Sequence, residues 1–418
     1  MSFKIPEKSL KWQMKAREIA HKYVLPNAKK YDNPKQYDPA TGVAQYNHEA
    51  MKAVADAGLL GVFIPEKYGG VDGSVLSLCL VVEELARADS GFGVAFAVNA
   101  LGSFPIQVGG TEEQKLKWLP QVAQGKKLCA FALSEKFAGS DAQSLRVRAE
   151  RVPQGWKIRG EKKWTTNGAV ADIFTVFAVT DPTSKSRRIS AFVVEKGTPG
   201  FRIGKVEDKM GIRCVPVVET IYDDVIVPET NLLGGRDGMG FKHSMMTLDL
   251  ARPGVAAQAV GAAQGALDLA LVYANRRRQF GATISSFQMV QQMLADMAMQ
   301  TEAARWLVYA SAAAVDNGEE NLTKRAAMAK CFATDAAVKV ATDAVQIFGG
   351  YGFMEDYPIA KFYRDAKILQ IYEGTNQIQR LVIARNLIKE AGQLGHLDAY
   401  IPKEEQDLHG VTDVDPIQ

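Results

Sequence analysis

The chain has 418 residues, a length that predicts two or three domains rather than one small core. Hydrophobic residues make up 47% and charged residues 23%, which is typical of a soluble globular protein and excludes a disordered chain. Lysine and arginine total 50 against 47 aspartates and glutamates, so the net charge is only +3 and a nucleic-acid-binding surface is not expected.

Cysteine and histidine positions offer no metal or disulfide framework. The cysteines are far apart and form no CxxC pair, the histidines form no HExxH, and the N-terminus lacks the apolar segment of a signal peptide. GxSxG, P-loop and strand-linked GxGxxG motifs are also absent. We therefore expect no metal site and a cytoplasmic protein with reduced thiols at Cys79, Cys129, Cys214 and Cys331.

The residue pattern changes twice along the chain and predicts a multidomain α+β fold. Residues 1–128 have apolar residues at helical spacing, and residues 129–239 alternate with the period of β-strands. Helical spacing returns over 240–392, where four or five long helices fit. Residues 393–418 are polar and predict a surface tail. The expected order is a helical domain, a β-barrel or sandwich domain and a helical bundle.

In the N-terminal region, Leu10, Met14 and Ile19 recur near helical spacing and predict a helix. Asn47 is predicted to cap a helix that follows it, and Thr111 to begin a capping box.

The stretch 90–111 contains no charged residue and therefore needs a membrane check. It holds Asn99, Pro105 and five glycines, which make it too polar and too broken for a spanning helix. We expect a buried helix followed by a turn.

In the middle region, apolar Leu145, Val147 and Ala149 alternate with charged residues, which predicts a half-buried strand. A turn over 152–155 then predicts a hairpin.

Glu373 is the first candidate for chemistry. It lies between the apolar pair Ile371–Tyr372 and Gly374, ahead of Thr375, which can cap the next helix. A carboxyl group among apolar neighbours has a raised pKa, which suits a general base. The residues alone also allow a surface acid near a helix N-terminus.

Three other segments have both a functional and a structural interpretation. Trp164 and the polar turn after it could hold a flat heterocycle, or the indole could close the β core. The arginine run 276–278 could bind phosphate, or end a helix in solvent. The glycines of 349–352 could admit a phosphate or a ring, or make a corner.

Eight motifs, in their order and spacing, resemble those of the acyl-CoA dehydrogenases over residues 10–390. They are PEKYGG (65–70), FALSEKFAGSD (131–141), KKWTTNG (162–168), MGIRC (210–214), RRQFG (277–281), DAVQIFGGYGF (343–353), YRDAKI (363–368) and IYEGTNQIQR (371–380).

This resemblance implies FAD as cofactor, bound between the β domain and the C-terminal bundle, and a homotetramer built from dimers. It assigns to the flavin Phe131, Leu133, Ser134, Trp164 and Thr166. Its other cofactor contacts, some of them made to a neighbouring subunit's FAD, are Arg277, Gln279, Phe280, Gln288, Gln346, Gly349, Gly350, Thr375 and Gln377.

The resemblance also implies the reaction. Glu373 matches the base that removes the pro-R α-proton of an acyl-CoA thioester while a β-hydride moves to the flavin. Electrons would pass to an electron-transferring flavoprotein. Some relatives carry the base near position 251, which is alanine here. The positions assigned to the substrate are Ser140, Asp249, Arg252 and Gly374.

Two departures bear on the substrate. The usual Thr-Glu-Pro-Gly is Ser134-Glu135-Lys136-Phe137, and the segment 31–46 is longer than is common. A pocket changed there could accept an aromatic, alicyclic or dicarboxylic acyl group instead of a straight chain. The alternatives to a dehydrogenase are an acyl-CoA oxidase that uses oxygen and a non-catalytic flavin-binding scaffold.

Overall fold

The computed structural model describes residues 4–33, 37–38, 43–44 and 46–400. Most of the predicted polar tail, from 401 onward, lies outside the described residues. So does much of the 31–46 segment, of which two short strands, β1 (Tyr37–Asp38) and β2 (Val43–Ala44), form an antiparallel ribbon.

The N-terminal region is helical, as predicted. Asn47 caps a helix by accepting a hydrogen bond from the Ala50 N–H at 3.0 Å, and Thr111 forms its capping box. The helix predicted at Leu10, Met14 and Ile19 is confirmed, although Leu10 and Met14 are exposed. That helix instead buries Ser9, Trp12, Ala16 and Ile19, since these residues face the neighbouring helices. The helices are α1 (Glu7–Ile19), α2 (Ala28–Tyr31), α3 (His48–Asp56), α4 (Val75–Ala88), α5 (Ser90–Gly109) and α6 (Glu112–Ala123).

A single curled sheet of seven strands follows, with its own apolar core. The predicted alternation is confirmed, because Leu145, Val147 and Ala149 are buried. The hairpin at 152–155 is confirmed by the antiparallel pairing of its two strands. The first strand lies parallel to the fourth, Cys129 opposite Ile173. The strands are β3 (Cys129–Ala132), β4 (Arg148–Val152), β5 (Gly155–Thr166), β6 (Ile173–Val179), β7 (Ile189–Glu195), β8 (Phe201–Val206) and β9 (Val217–Val227).

The C-terminal region is a helical bundle with three long helices and two shorter ones. Its long helices pack against one another and against α4 and α5, so the N-terminal and C-terminal helices share one apolar core. The glycines of 349–352 make a corner, as a 3-10 turn over Gly349–Phe353. The elements are α7 (Gly240–Arg276), the ribbon strands β10 (Arg278–Gln279) and β11 (Ala282–Thr283), α8 (Gln288–Asp316), α9 (Leu322–Phe348), α10 (Ile359–Leu369) and α11 (Asn376–Ala391).

Two helices, α5 and α7, are long and apolar enough to cross a membrane by length and composition. Of their most apolar windows, 78% and 72% are buried inside the protein, as in core helices of globular folds. All four cysteines are buried and unbonded to one another.

Candidate active site

The loop that carries Glu373 is held in a strained backbone conformation by side chains from three helices. Glu373 has φ +51°, in the left-handed region that residues with a side chain rarely adopt. Its carbonyl accepts hydrogen bonds at 3.4 Å from Arg252 Nε of α7 and from Gln379 Nε2 of α11. The next carbonyl, of Gly374, accepts from Gln379 Nε2 at 3.1 Å and from Lys330 Nζ of α9 at 2.8 Å. These contacts fix the loop despite its backbone strain.

The Glu373 carboxyl group has the character of a general base. Its Oε2 atom is buried and has no hydrogen-bond partner among the described residues. Burial raises the pKa of Glu373 from 4.5 to about 7, although the positive charges of Arg252 and Lys330 act in the opposite direction. The alternative of a solvated surface acid is therefore wrong, and the carboxyl group is free to take up a proton from a ligand.

Two predicted substrate residues lie beside this loop and contact each other. Arg252 is buried and forms an ion pair with Asp249 at 3.1 Å, and Asp249 also accepts a hydrogen bond from Thr323 Oγ1 at 2.5 Å. Position 251, the alternative location of the base, is a buried alanine. Glu373 therefore stands next to a fixed guanidinium group on α7.

Thr375 ends the loop by capping α11, where its hydroxyl accepts from the Ile378 N–H at 3.2 Å. This capping role was predicted.

The second part of the site is the end of β5, from Trp164 to Thr166, and the turn after it. Trp164 has φ +60° and its side chain is 50% exposed, so the interpretation as a core tryptophan is wrong. Thr166, the last residue of β5, is half-buried. The Thr165 hydroxyl oxygen and the Asn167 Oδ1 atom are buried and lack partners among the described residues. The exposed indole and the unsatisfied polar atoms next to it suit a planar polar ligand.

A buried ion pair that the sequence analysis missed fixes the neighbouring strand end. Lys162 Nζ lies 2.7 Å from Glu135 Oε1 and 2.8 Å from the Leu133 carbonyl, and neither charged side chain is exposed. Glu135 also accepts the backbone N–H groups of Arg146 and Val147 at 2.7 and 3.1 Å. The Lys163 N–H also donates to the Ser134 carbonyl at 2.9 Å, so the segment of Phe131, Leu133 and Ser134 lies beside the Trp164 end of β5.

Helix α5 brings these two parts together. Tyr372, adjacent to Glu373, donates its hydroxyl hydrogen to Gln258, which in turn donates to the Ser90 carbonyl at 2.8 Å. Asn167 Nδ2 donates to the Ala95 carbonyl at 2.8 Å. Ser90 and Ala95 are five residues apart on α5, about 7.5 Å at 1.5 Å per residue. The Trp164 turn and the Glu373 loop therefore flank the same end of one helix.

A separate cavity of about 530 Å³ collects another group of predicted residues. Arg277, Gln279, Gly349 and Gly350 all line it. The Arg277 guanidinium lies 5.2 Å from the centre of the Tyr351 ring. A β-carbon at either glycine would meet no atom within 4 Å, so the backbone there is open to close approach. The glycine turn is both a corner and a cavity wall.

This cavity is far from Glu373 of the same chain. Lys330, which contacts the Glu373 loop, and Phe348, which lines the cavity, are eighteen residues apart on α9. That separation is about 27 Å along the helix.

The remaining predicted contacts are solvent-exposed and lie neither at the Glu373–Trp164 site nor in the cavity of Arg277. Phe280 is 97% exposed at the tip of the β10–β11 ribbon. The others on the surface are Ser140, Gln288, Gln346 and Gln377.

Comparison with known proteins identifies the family. The acyl-CoA dehydrogenase N-terminal, middle and C-terminal domain models match residues 6–126, 130–225 and 238–388. A relative from Mycobacterium tuberculosis, "Probable acyl-CoA dehydrogenase FadE25", is 45% identical over 387 residues, covering 93% of this chain and 97% of the relative. The chain therefore belongs to the acyl-CoA dehydrogenase family, whose members are oxidoreductases.

Solved structures agree with this assignment. Butyryl-CoA dehydrogenase from Megasphaera elsdenii superposes with a TM-score of 0.88 at 43% identity, covering 93% of this chain and 100% of that one. A chain from a study of the electron transferring flavoprotein of Acidaminococcus fermentans also has a TM-score of 0.88, at 46% identity, with 93% and 99% covered.

The family is FAD-dependent, and a similar structure from Bacillus anthracis is complexed with FAD (TM-score 0.85, 33% identity, 93% of this chain and 68% of that one). The residues of this chain fit such a cofactor. The half-exposed Trp164 offers an aromatic face to a flat ring. Arg277 and Gln279, with the open backbone of Gly349 and Gly350, suit phosphate and ribose groups.

Proposed function

We propose that the protein dehydrogenates an acyl-CoA thioester between its α and β carbons to a trans-2-enoyl-CoA, with Glu373 as the base that removes the α-proton. The observation that carries this proposal is the Glu373 carboxyl group, whose Oε2 is buried and unpartnered and whose pKa is raised to about 7 by burial. A base with a pKa near the working pH combines a useful ionised fraction with sufficient basicity.

The residues around Glu373 serve this proton transfer in distinct ways. The left-handed turn fixes the direction of the carboxyl group, and the three side-chain donors from α7, α9 and α11 hold that turn. The charges of Arg252 and Lys330 favour the ionised form, which accepts the α-proton. FAD, when bound, supplies the acceptor for the β-hydride and so completes the two-electron oxidation.

The structure supports, in addition, a particular assembly. We propose a homotetramer in which the cavity of Arg277, Gln279 and Gly349 serves the FAD of a neighbouring subunit. The separation of about 27 Å along α9 argues for this arrangement, because one cofactor would have to span the whole distance to use both sites of one chain.

For the electron acceptor we propose an electron-transferring flavoprotein, and for the location the cytoplasm. The similarity to the chain from the Acidaminococcus fermentans study supports the first, and the four buried, unbonded cysteines are compatible with the second.

The chemical class of the acyl group is tested separately from the reaction. Similarity to butyryl-CoA dehydrogenase favours a short straight chain. The exposed loop at Lys136 and Phe137 differs from the family pattern, and there Arg146 stacks on the Phe137 ring at 4.9 Å. A substrate panel therefore includes aromatic, alicyclic and dicarboxylic thioesters.

The test is an anaerobic titration of the FAD-loaded protein with this panel, followed through the flavin absorbance. We expect bleaching by at least one thioester, and loss of at least about a thousandfold in bleaching rate in Glu373→Gln. Glu49→Gln, at an exposed carboxyl group on α3, is the matched control and keeps the wild-type rate. Rapid bleaching in Glu373→Gln would contradict the assignment of the base.

Two further observations separate the alternatives. Hydrogen peroxide formed in air at the rate of turnover, without an added acceptor, would identify an oxidase. A yellow protein that no thioester bleaches would identify a flavin-binding scaffold.

A further inference from the structure

Lys330 is a buried positive charge that does not itself transfer the proton or the hydride. It lies on α9 with no exposed surface, and its Nζ atom donates to the Gly374 carbonyl at 2.8 Å and to Asn376 Oδ1 at 2.9 Å. It forms no ion pair with a described residue, in contrast to most buried lysines, which are paired. An ammonium group in this environment reduces stability, so packing alone does not account for it.

Hydrogen-bond satisfaction does not account for it either. The Gly374 carbonyl has a second donor, Gln379 Nε2, at 3.1 Å. Asn376 Oδ1 also lies 3.1 Å from Thr334 Oγ1, whose single hydrogen is shared with the Lys330 carbonyl at 2.8 Å. A neutral, apolar residue at position 330 would therefore leave the Gly374 carbonyl paired with Gln379 and Asn376 Oδ1 with the Thr334 hydroxyl as its one donor. What lysine adds is a third contact to the loop and a positive charge close to Glu373.

We propose that Lys330 is a positioning residue for Glu373, which fixes the turn at Gly374 and keeps a positive charge beside the carboxylate. This inference rests on the proposed function of Glu373 as the base. The turn is where a third contact matters most, because both Glu373 and Gly374 have positive φ angles, +51° and +95°. A loop free to relax would lose the direction of its carboxyl group.

The charge should act on the protonation of the base. Removing a neighbouring positive charge favours the neutral carboxyl group and raises its pKa further. Since only the ionised form removes a proton, the acidic limb of the pH–rate profile would then move to higher pH. The charged and titratable groups that face this pair are Arg252 with its partner Asp249, Tyr372, Cys331, and Asp335 with its partner Arg380.

The experiment compares three variants with the wild-type holoenzyme. Lys330→Met removes both charge and contact, and Lys330→Gln removes the charge but keeps an amide donor. Thr334→Val is the matched control, because it removes the hydroxyl that contacts Asn376 Oδ1 at 3.1 Å and accepts from Asn376 Nδ2 at 2.8 Å, without changing charge or touching Gly374. The measurements are kcat and KM against pH, and an infrared pH titration of the Glu373 carboxyl band, assigned by its absence in Glu373→Gln.

In Lys330→Met we expect the acidic limb and the infrared midpoint to rise by about one pH unit. We also expect kcat at pH 7 to fall about tenfold or more, with a much smaller change in KM, because the base rather than binding is affected. Lys330→Gln should show the same pH shift with a smaller loss of kcat. Thr334→Val should show the acidic limb of the pH–rate profile at the same pH as wild type.

Wild-type pH profiles in both Lys330 variants would overturn the proposal. A shift of the same size in Thr334→Val would also overturn it, because it would indicate a general loosening of the contact between α9 and α11. If Lys330→Met does not fold, Lys330→Gln decides the question in the same way. If the wild-type protein oxidises no thioester, the proposed function fails. The infrared titration still tests the effect of Lys330 on Glu373 in that case.

Discussion

The two sides of the candidate active site each contain a fully buried lysine that donates to a loop carbonyl at 2.8 Å, but only one of them has a carboxylate partner. Lys162, on the β side, pairs with buried Glu135 and holds the Leu133 carbonyl. Lys330, on the helical side, has only neutral oxygens as direct partners. Burial lowers the pKa of each lysine to about 8.

This difference separates a structural role from a functional one. The Lys162 charge is neutralised by its direct ion pair with Glu135, so it serves to fix a wall of the site. The Lys330 charge is compensated mainly by Glu373, whose negative charge raises the lysine's pKa against the effect of burial. A buried cation next to a base is the arrangement by which enzymes adjust an acid's pKa.

The strongest test of this distinction is to remove each lysine. Lys162→Met leaves Glu135 buried without a counter-charge, and we expect a loss of about 3–5 kcal/mol in the free energy of unfolding. Lys330→Met leaves no buried carboxylate without an ion-pair partner and should change stability by less than about 1 kcal/mol, in either direction. Urea unfolding at pH 7 measures both. Adding Glu135→Gln to Lys162→Met should restore part of the loss, and equal losses in the two single variants would contradict the distinction.

A second test follows the protonation of Glu373 through stability. Its pKa in the folded protein, about 7, exceeds the ordinary 4.5, so the folded state binds the proton more tightly. This stabilisation is complete below pH 4.5 and is lost as the pH rises to about 7. Glu373→Gln cannot bind or release this proton. The difference in free energy of unfolding, variant minus wild type, should therefore be about 3 kcal/mol more positive above pH 7 than below pH 4.5.

The measurement is thermal or urea unfolding of both proteins between pH 4.5 and 8. Glu49→Gln, with its exposed carboxyl group, provides the baseline. A constant difference between Glu373→Gln and wild type over this range would contradict the raised pKa.

A third test compares one glycine from each side. Gly374 has φ +95°, and a β-carbon there would lie 2.4 Å from Gln379 Nε2, so Gly374→Ala should reduce stability by about 1–3 kcal/mol and lower kcat. Gly139, in the loop beyond Glu135, has no atom within 4 Å of such a carbon. Gly139→Ala should leave the unfolding midpoint unchanged. The reverse order of effects would show that the helical-side loop is not the constrained one.

The smallest expected effect concerns the end of the helical-side loop. Thr375→Ala removes the cap of α11 and should reduce stability by about 1 kcal/mol. Thr375→Ser keeps the hydroxyl group and should stay close to wild type. The unfolding midpoints of both variants measure these effects. If Thr375→Ser loses as much stability as Thr375→Ala, the lost methyl group and not the lost cap is the cause.

Sequence reasoning found the parts of the site that depend on local patterns. Glu373 stands out between apolar residues and a cap, and Trp164 begins a polar turn. The spacing of Leu10, Met14 and Ile19 predicted the helix α1 but not its buried side, because neighbouring helices decide which side is buried.

The two buried lysines were missed for a related reason. Lys330 meets Gly374 across 44 residues of sequence, and Lys162 meets Glu135 across 27. One local signal was available, since alanines at 326, 327 and 333 place Lys330 on the small-residue face of its helix. The roles assigned to Gln288, Gln346 and Phe280 stay predictions, because these side chains face solvent in the single chain.

The length of α9 has a genetic consequence. If the Arg277 cavity serves a neighbouring subunit, as we propose, then every catalytic centre is assembled from two polypeptides. A subunit that lacks its base and a subunit that lacks its cavity arginine would then each carry the part that the other is missing. Two defective alleles expressed in one cell could form some centres in which both parts are intact, and thereby recover activity that neither allele has alone.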